Sequence, residues 1–461
     1  MVFPIVGGTQ STGYEISNSL RFNDSDSQYM YRTPSSASNQ RTWTWSGWFK
    51  RSDITTSQNL WTAGADVSNR CHLDINASGT FQVEAKNSGS SVMKCEGGRH
   101  LRDPNAFMHL VWRMDTTQGT DSNRMRIYIN GEQFTFSSNS YPTQNREMAI
   151  NNNVVHAIGK RTWADQNYFD GYLAEVHFVD GQSYAPTVFG ETNDNGVWIP
   201  KDCKDDITYG TNGYFLEFKQ TGTSANSSGI GADTSGNDHH FTVANINSHS
   251  VNVDTPTLNY CTLNSVGGTD SQGASGTLDN GALRLPVNQK AQGLTMDNSM
   301  LDGGRWYFEV YLAGGSLNST IGFRNSDNGD DTPSVEIESD GQIKKDGSNV
   351  GSTDTAFSNG MVVGVILDWS NPASRKITFE TNNSAHSEGQ QTFSDSSSNN
   401  GFHYHGRETG GTQLYNFGNT PAVFGNKTAG GNADANGYGN FFFAVPSNHF
   451  AINSKNLAEY G

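Results

Sequence analysis

The residues best placed to do chemistry are three carboxylates at alternating positions, Glu336, Glu338 and Asp340 in VEIESDG. Alternate residues of a strand project from one face, and retaining glycoside hydrolysis needs two carboxyl groups about 5–5.5 Å apart. The run closes in Ser339-Asp340-Gly341, however, a turn signal that makes a solvated hairpin the simpler account. Neither Glu309 in RWYFEVYL nor Glu175 in GYLAEVHF has a second carboxylate two residues away. No G-x-S-x-G elbow, H-E-x-x-H helix or glycine-rich phosphate loop occurs. The sequence therefore reads as non-enzymatic.

Histidines occur as His239-His240 and as His403-Tyr404-His405. The second pair could share a metal from one strand face, but surface ring stacking is the simpler account. Cys71, Cys95, Cys203 and Cys261 show no C-x-x-C spacing and read as thiols, although Cys71 and Cys95 could pair if their strands are neighbours. Tryptophans gather at Trp43, Trp45, Trp48, Trp61 and Trp112, and alternation turns most of them inward. Trp48, opposite to its neighbours, and Trp163, in the loop KRTWADQN, are the two expected to be exposed for ligand binding.

The elements that must hold these residues are strands. Of 461 residues, 51 are Gly and only 16% are charged, while Asn, Ser, Thr and Gly supply the polarity. All four are poor in mid-helix. The 11% aromatic content provides the apolar surface that disordered chains lack. Lys plus Arg is 30 against 46 for Asp plus Glu, a net charge of −16 that argues against nucleic-acid binding by counterion release. No apolar run is long enough for a membrane helix, and the start MVFPIVGGTQSTGYE lacks the features of an export signal.

Period-two segments recur in TWTWSGWFK (42–50), HLVWRMD (109–115), MRIYINGEQFTF (125–136) and DGYLAEVHFVDG (170–181), with a hairpin signal at Asn130-Gly131. A polar, turn-rich tract over 191–265 interrupts the pattern and contains one good strand, NGYFLEFKQ (212–220). The pattern resumes with GRWYFEVYL (304–312), MVVGVILDW (361–369), RKITFETNN (375–383) and GTQLYNFGN (411–419). The expected architecture is all-β: two tandem antiparallel jelly-roll-like sandwiches over 15–190 and 266–461, joined by a long polar connector over 191–265 and preceded by an arm over 1–14.

The first half resembles the laminin-G/pentraxin-like branch of the concanavalin A-like lectin families, through SLRFNDSDSQYMYRTP, TWTWSGWFKRS, HLVWRMD, RIYINGE and DGYLAEVHFVDG. The second half resembles a SPRY domain, through GRWYFEVYL, IGF, SDGQI, GMVVGVILDW, KITFETNN and QLYNFGNTP. The two modules and their connector together look like structural proteins of marine tailed bacteriophages. That resemblance implies a tail fibre or receptor-binding appendage, assembled in the host cytoplasm and acting outside the cell as part of the virion. Its implied partners are other virion proteins, further copies of the chain, most simply as a trimer, and a bacterial surface glycan or protein. A capsid decoration or head fibre protein and a glycan depolymerase are the alternatives.

The lectin-like resemblance also implies Ca²⁺ as the one cofactor to consider. Asp24 and Asp26 in NDSDS, with Asp170, are the candidate ligands, and Asp327, Asp330 and Asp331 form a second acidic turn. In the SPRY-like half, NNGFHYHGRETGG occupies a stretch that often presents a partner-binding loop, and Phe402, Tyr404 and Arg407 are its candidate contacts. Val2, Phe3, Ile5 and Val6, followed by Gly and Ser, read as an attachment arm that orders on assembly.

Overall fold

The computed structural model describes residues 13–266, 278–296, 298–325, 333–393, 402–419, 422–423 and 427–461. Val2, Phe3, Ile5 and Val6 of the expected arm, and Asp327, Asp330 and Asp331, lie outside the described residues. The fold is all-β, with antiparallel sheets stacked as sandwiches and, among the described residues, two short α-helices, Asn298–Leu301 and Ser454–Tyr460. Two compact units meet in sequence at residues 257 and 258.

The first unit begins with β1 (Ser19–Phe22), β2 (Tyr29–Arg32), β3 (Thr42–Arg51), β4 (Gln58–Asp66), β5 (Asn69–Ile75) and β6 (Phe81–Asn87). There follow β7 (Ser90–Gly97), β8 (Met108–Asp115), β9 (Met125–Ile129), β10 (Glu132–Gln133), β11 (Ser138–Ser140) and β12 (His156–Ile158). It ends with β13 (Gly171–Asp180), the hairpin β14 (Gly190–Thr192) and β15 (Trp198–Pro200), then β16 (Tyr214–Leu216), β17 (Thr242–Ala244) and β18 (Val251–Asn252). One sheet runs β10-β9-β8-β3-β13-β1-β18 with β16 also on β13, and the other runs β11-β7-β6-β5-β4-β12-β2-β17. The Asn130-Gly131 turn joins β9 to β10 with both residues at positive φ, as a primed hairpin turn requires.

Alternation places Trp43, Trp45, Trp61 and Trp112 in the core between the sheets, Trp43 and Trp112 edge to face at 4.9 Å. Gly47 makes room for them: a Cβ there would stand 2.9 Å from the Trp45 ring. The two faces of the first sheet are both covered. Residues Phe189, Cys203, Ile207, Tyr209 and Phe215 pack with Val111 and Val179 over its outside, so β3 and β13 are buried almost throughout. This corrects the expectation of a polar connector with one or two strands between the sandwiches over 191–265. Residues up to 257 belong to the first unit and add β16, β17 and β18 to its sheets, while 258–265 belong to the second. The buried ion pair between Lys50 Nζ and Asp254 Oδ2, at 2.6 Å, ties that late segment to β3. β6 separates β5 from β7, so Cys71 and Cys95 are not on neighbouring strands, and all four cysteines are buried thiols.

The second unit includes β19 (Arg284–Leu285), β20 (Gln289–Gln292), β21 (Arg305–Ala313), β22 (Ser319–Asn325), β23 (Ser334–Glu338), β24 (Ile343–Lys345) and β25 (Ser348–Val350). β26 (Val362–Asp368), β27 (Arg375–Thr381), β28 (Ser384–Ala385), β29 (Gln391–Phe393), β30 (Phe402–Glu408) and β31 (Thr412–Asn416) follow. Its larger sheet is centred on β31-β21-β26-β27, and the smaller runs β20-β30-β22-β23-β24-β25. Trp306, Phe308, Val310 and Leu312 face the core. Glu309, on the other face, is buried too, with its carboxylate accepting from Phe442 N (2.8 Å), Phe443 N (3.0 Å), Tyr307 Oη (3.0 Å) and Asn416 Nδ2 (3.1 Å).

Candidate functional site

One polar face of the first unit is built unlike the rest. In β5, Cys71, Leu73 and Ile75 point into the core, so Arg70, His72 and Asp74 point outward from the second sheet. Register sets a continuous row across that face: Thr242, Tyr31, Ala157, Thr62, His72, Glu84, Lys94 and Ser140 are successive partners. Its middle is small and buried, with Ala157 2%, Thr62 0% and His72 1% exposed. What buries it is the segment between β12 and β13. That segment is pinned at its ends, by Asn59 N to Asn167 O (2.8 Å) and Phe169 N to Gly159 O (2.9 Å).

Trp163 is the cap of this loop. Its half-buried ring lies 5.0 Å from the His72 ring, with the Arg70 guanidinium 4.5 Å and that of Arg161 5.5 Å from its centre. Arg161 Nε donates to Asp74 Oδ2 at 3.0 Å, and Asn59 Nδ2 donates to Asp74 Oδ1 at 2.6 Å. Arg70 Nη2 pairs with Glu84 Oε2 at 2.7 Å, and Lys160 pairs with Asp165 while lying 4.5 Å from the Tyr29 ring. Tyr29, Tyr31 and Tyr168, all half-buried, extend the aromatic rim.

Electrostatics keeps His72 neutral. Burial, then the nearby Arg161 and Arg70, push its pKa down to about 3, so its 3.7 Å approach to Asp74 is not an ion pair at neutral pH. Neither ring nitrogen has a hydrogen-bond partner. Asp74 is pushed upward by burial, while Arg161 and the amides of Asn59 and Asn167 hold the carboxylate form.

Of the residues singled out from sequence, only Trp163 lies in this constellation. Trp48 is 4% exposed, contrary to expectation, because the 181–215 cover reaches it: it stacks on His109 at 4.7 Å, and Trp198 stacks on the same imidazole. Tyr404 is also buried rather than presented, its hydroxyl 2.7 Å from that of Tyr415 in the core of the second unit. Arg407 is exposed, three residues along the same strand; Phe402 begins that strand. Glu336 accepts from His405 Nδ1 at 2.7 Å, Glu338 pairs with Lys344 at 2.8 Å, and Asp340 caps its turn through Gln342 N at 2.9 Å. The alternating carboxylates are thus each engaged, Glu338 and Asp340 within the β23–β24 hairpin and Glu336 by β30. His239 and His240 are likewise engaged, by Thr211 O and Asp233 N.

Asp24 and Asp170 do meet, sharing a hydrogen bond, and burial and the nearby Asp53 push the Asp24 carboxyl upward. Asp26 instead accepts from Asn23 Nδ2 at 2.7 Å. Among the described residues no group of three or more His, Cys, Asp or Glu side chains is arranged to hold a metal ion.

Arg70, His72 and Asp74 were missed from the sequence, although the R-x-H-x-D alternation against Cys71, Leu73 and Ile75 marks an outward polar face. No curated protein matches the chain. Among solved structures, mouse laminin α1 domains LG4-5 share 8% identity with a TM-score of 0.32, covering 98% of this chain and 91% of that one. A heptameric SAP-like pentraxin from Limulus polyphemus shares 12%, TM-score 0.30, over 41% of this chain and 94% of that one. A human SPRY domain shares 20%, TM-score 0.20, over 24% and 74% respectively. The first unit, over residues 24–188, matches the family described as the concanavalin A-like lectin/glucanases superfamily.

Proposed function

We propose that this protein is a non-catalytic glycan-binding protein, and that recognition lies on the outer face of the second sheet of its first unit. The observation that carries this is the half-buried Trp163 set over a sheet-borne polar floor with Arg70, Arg161 and His72 around it. An aromatic ring beside convergent polar groups offers both the apolar and the hydrogen-bonding halves of sugar recognition. The lectin-type family match over residues 24–188 supports the same reading. Against hydrolysis stand Glu336 and Glu338, each held by a cationic or imidazole partner, and Glu175, which is buried with Tyr14 Oη as its donor.

The setting we propose is a tail fibre or receptor-binding appendage of a tailed-phage virion, docked to other virion proteins as a homo-oligomer. The support is the pairing of a lectin-like with a SPRY-like module in one acidic chain. Incubating the full chain with host surface polysaccharide tests the function. Retention of the polysaccharide without release of reducing ends is expected, and release would instead make it a depolymerase. Electron microscopy of labelled particles tests the location, since density on the capsid would replace the tail assignment.

A further inference from the structure

We infer that the floor beneath the 160–168 loop is a subsite for a neutral sugar residue, a hexose or N-acetylhexosamine, whose hydroxyls pair with His72, Asn59 and Thr162 while Trp163 stacks on its apolar face. This rests on the glycan-binding reading above.

The first observation is what the loop leaves unpaired. Among the described residues His72 is the one buried histidine with neither ring nitrogen in a hydrogen bond, and Asn59 Oδ1 on β4, Arg70 Nε on β5 and Thr162 Oγ1 in the covering loop are also buried without partners. Buried polar atoms in native proteins are paired with few exceptions. Here a neutral imidazole contributes one N–H and one lone pair, an amide oxygen accepts, a hydroxyl does either, and a guanidinium N–H donates. Together they supply the mixed donors and acceptors that pair with pyranose hydroxyls, each of which donates and accepts.

Charge then selects the sugar class. Every cation at the site already has a carboxylate: Arg70 has Glu84, Arg161 has Asp74 and Lys160 has Asp165. No positive group remains for a sugar carboxylate or sulfate, and Asp74 and Glu84 oppose one. The loop also allows entry. Its backbone bonds to the rest of the unit lie at Asn167, Gly159 and Phe169, outside residues 160–166, so the indole can swing outward without breaking the ladder.

The test is calorimetry on the full chain with lactose, maltotriose and N,N′-diacetylchitobiose as neutral probes, and 3′-sialyllactose and trigalacturonate as anionic ones. At least one neutral probe is expected to bind, with Trp163→Ala and His72→Leu each weakening it at least tenfold. His72→Leu is also expected to keep or raise the melting temperature, because it removes two unpaired polar atoms rather than a contact. A merely structural histidine would lower it. Binding of anionic probes alone, or neutral binding indifferent to both substitutions, would overturn the subsite while leaving glycan binding intact. Failure of all five probes to bind, together with no retention of host polysaccharide, would overturn both.

Discussion

Two histidines of the first unit lie against tryptophans, on opposite outer faces of the sandwich. His109, under the cover of the first sheet, stacks with Trp48 at 4.7 Å and Trp198 at 6.1 Å. Its Nδ1 accepts from Trp198 Nε1 at 3.1 Å, which leaves Nε2 to donate to Ser46 Oγ at 2.8 Å. His72, on the second sheet, has the single half-buried indole of Trp163 and no hydrogen bond. The ring types and the degree of burial are alike, yet one imidazole is a finished part of the interior and the other has unused capacity. Burial alone therefore does not separate structure from recognition; the hydrogen-bond account does.

Replacing the tryptophans should break this symmetry most widely. Trp48→Ala removes a buried ring and is expected to cost about 4 kcal/mol, against about 1 kcal/mol or less for the loop residue in Trp163→Ala. Urea unfolding measures both, and equal losses would erase the distinction. Next, His109→Leu leaves the buried Ser46 hydroxyl and Trp198 N–H without partners, an expected loss of about 3 kcal/mol, whereas His72→Leu is neutral or stabilising.

Acid sharpens the comparison further. Burial pushes the pKa of His109, His177 and His72 down to about 3 and that of His156 to about 4. The unfolded chain takes up these protons near pH 6.5 while the folded chain does not, so their stability is complete above that pH and is lost as it falls. Each is expected to cost about 1 kcal/mol between pH 6.5 and 5.5. His72→Leu should remove one such share from the measured slope, and an unchanged slope would place His72 in contact with water.

The smallest expected effect has the opposite sign. Glu175 sits in a bulge of β13 at φ +46°, and burial, despite the Tyr14 hydrogen bond, pushes its carboxyl up to about 8, with Glu217 adding to the rise and Lys219 opposing it. Its contribution is present below the ordinary glutamate pKa and lost as pH rises through about 8. Glu175→Gln should therefore be more stable than the parent by about 1 kcal/mol at pH 9 relative to pH 7. Thermal melts at the two values check this.

Alternation in TWTWSGWFK, HLVWRMD and GRWYFEVYL made the strands and the inward tryptophans legible, and Asn130-Gly131 gave a true hairpin. It assigned a face to each residue but not what covers that face. Trp48 was therefore expected in solvent, when a segment some 150 residues later, carrying Trp198, closes over it. Tyr404 failed similarly, since FHYHGRE alternates equally well either way and only the sheet it joins decides that the tyrosine goes inward. Of the strands of the 191–257 tract, β16 lies within the expected strand NGYFLEFKQ, whereas β15, β17 and β18 are two or three residues long, too short to show a period. The polar floor was readable in NRCHLDI, but its importance depends on Trp163, far along the chain.

The Lys50–Asp254 pair has a consequence for the order of synthesis. Lys50 is 1% and Asp254 0% exposed, so β3, a central strand of its sheet, carries a charge whose partner emerges from the ribosome 204 residues later. Until then β3 cannot bury that ammonium beside its carboxylate. A nascent chain released near residue 190 would be left half-closed, and the first unit completes only once the tract after it has been translated.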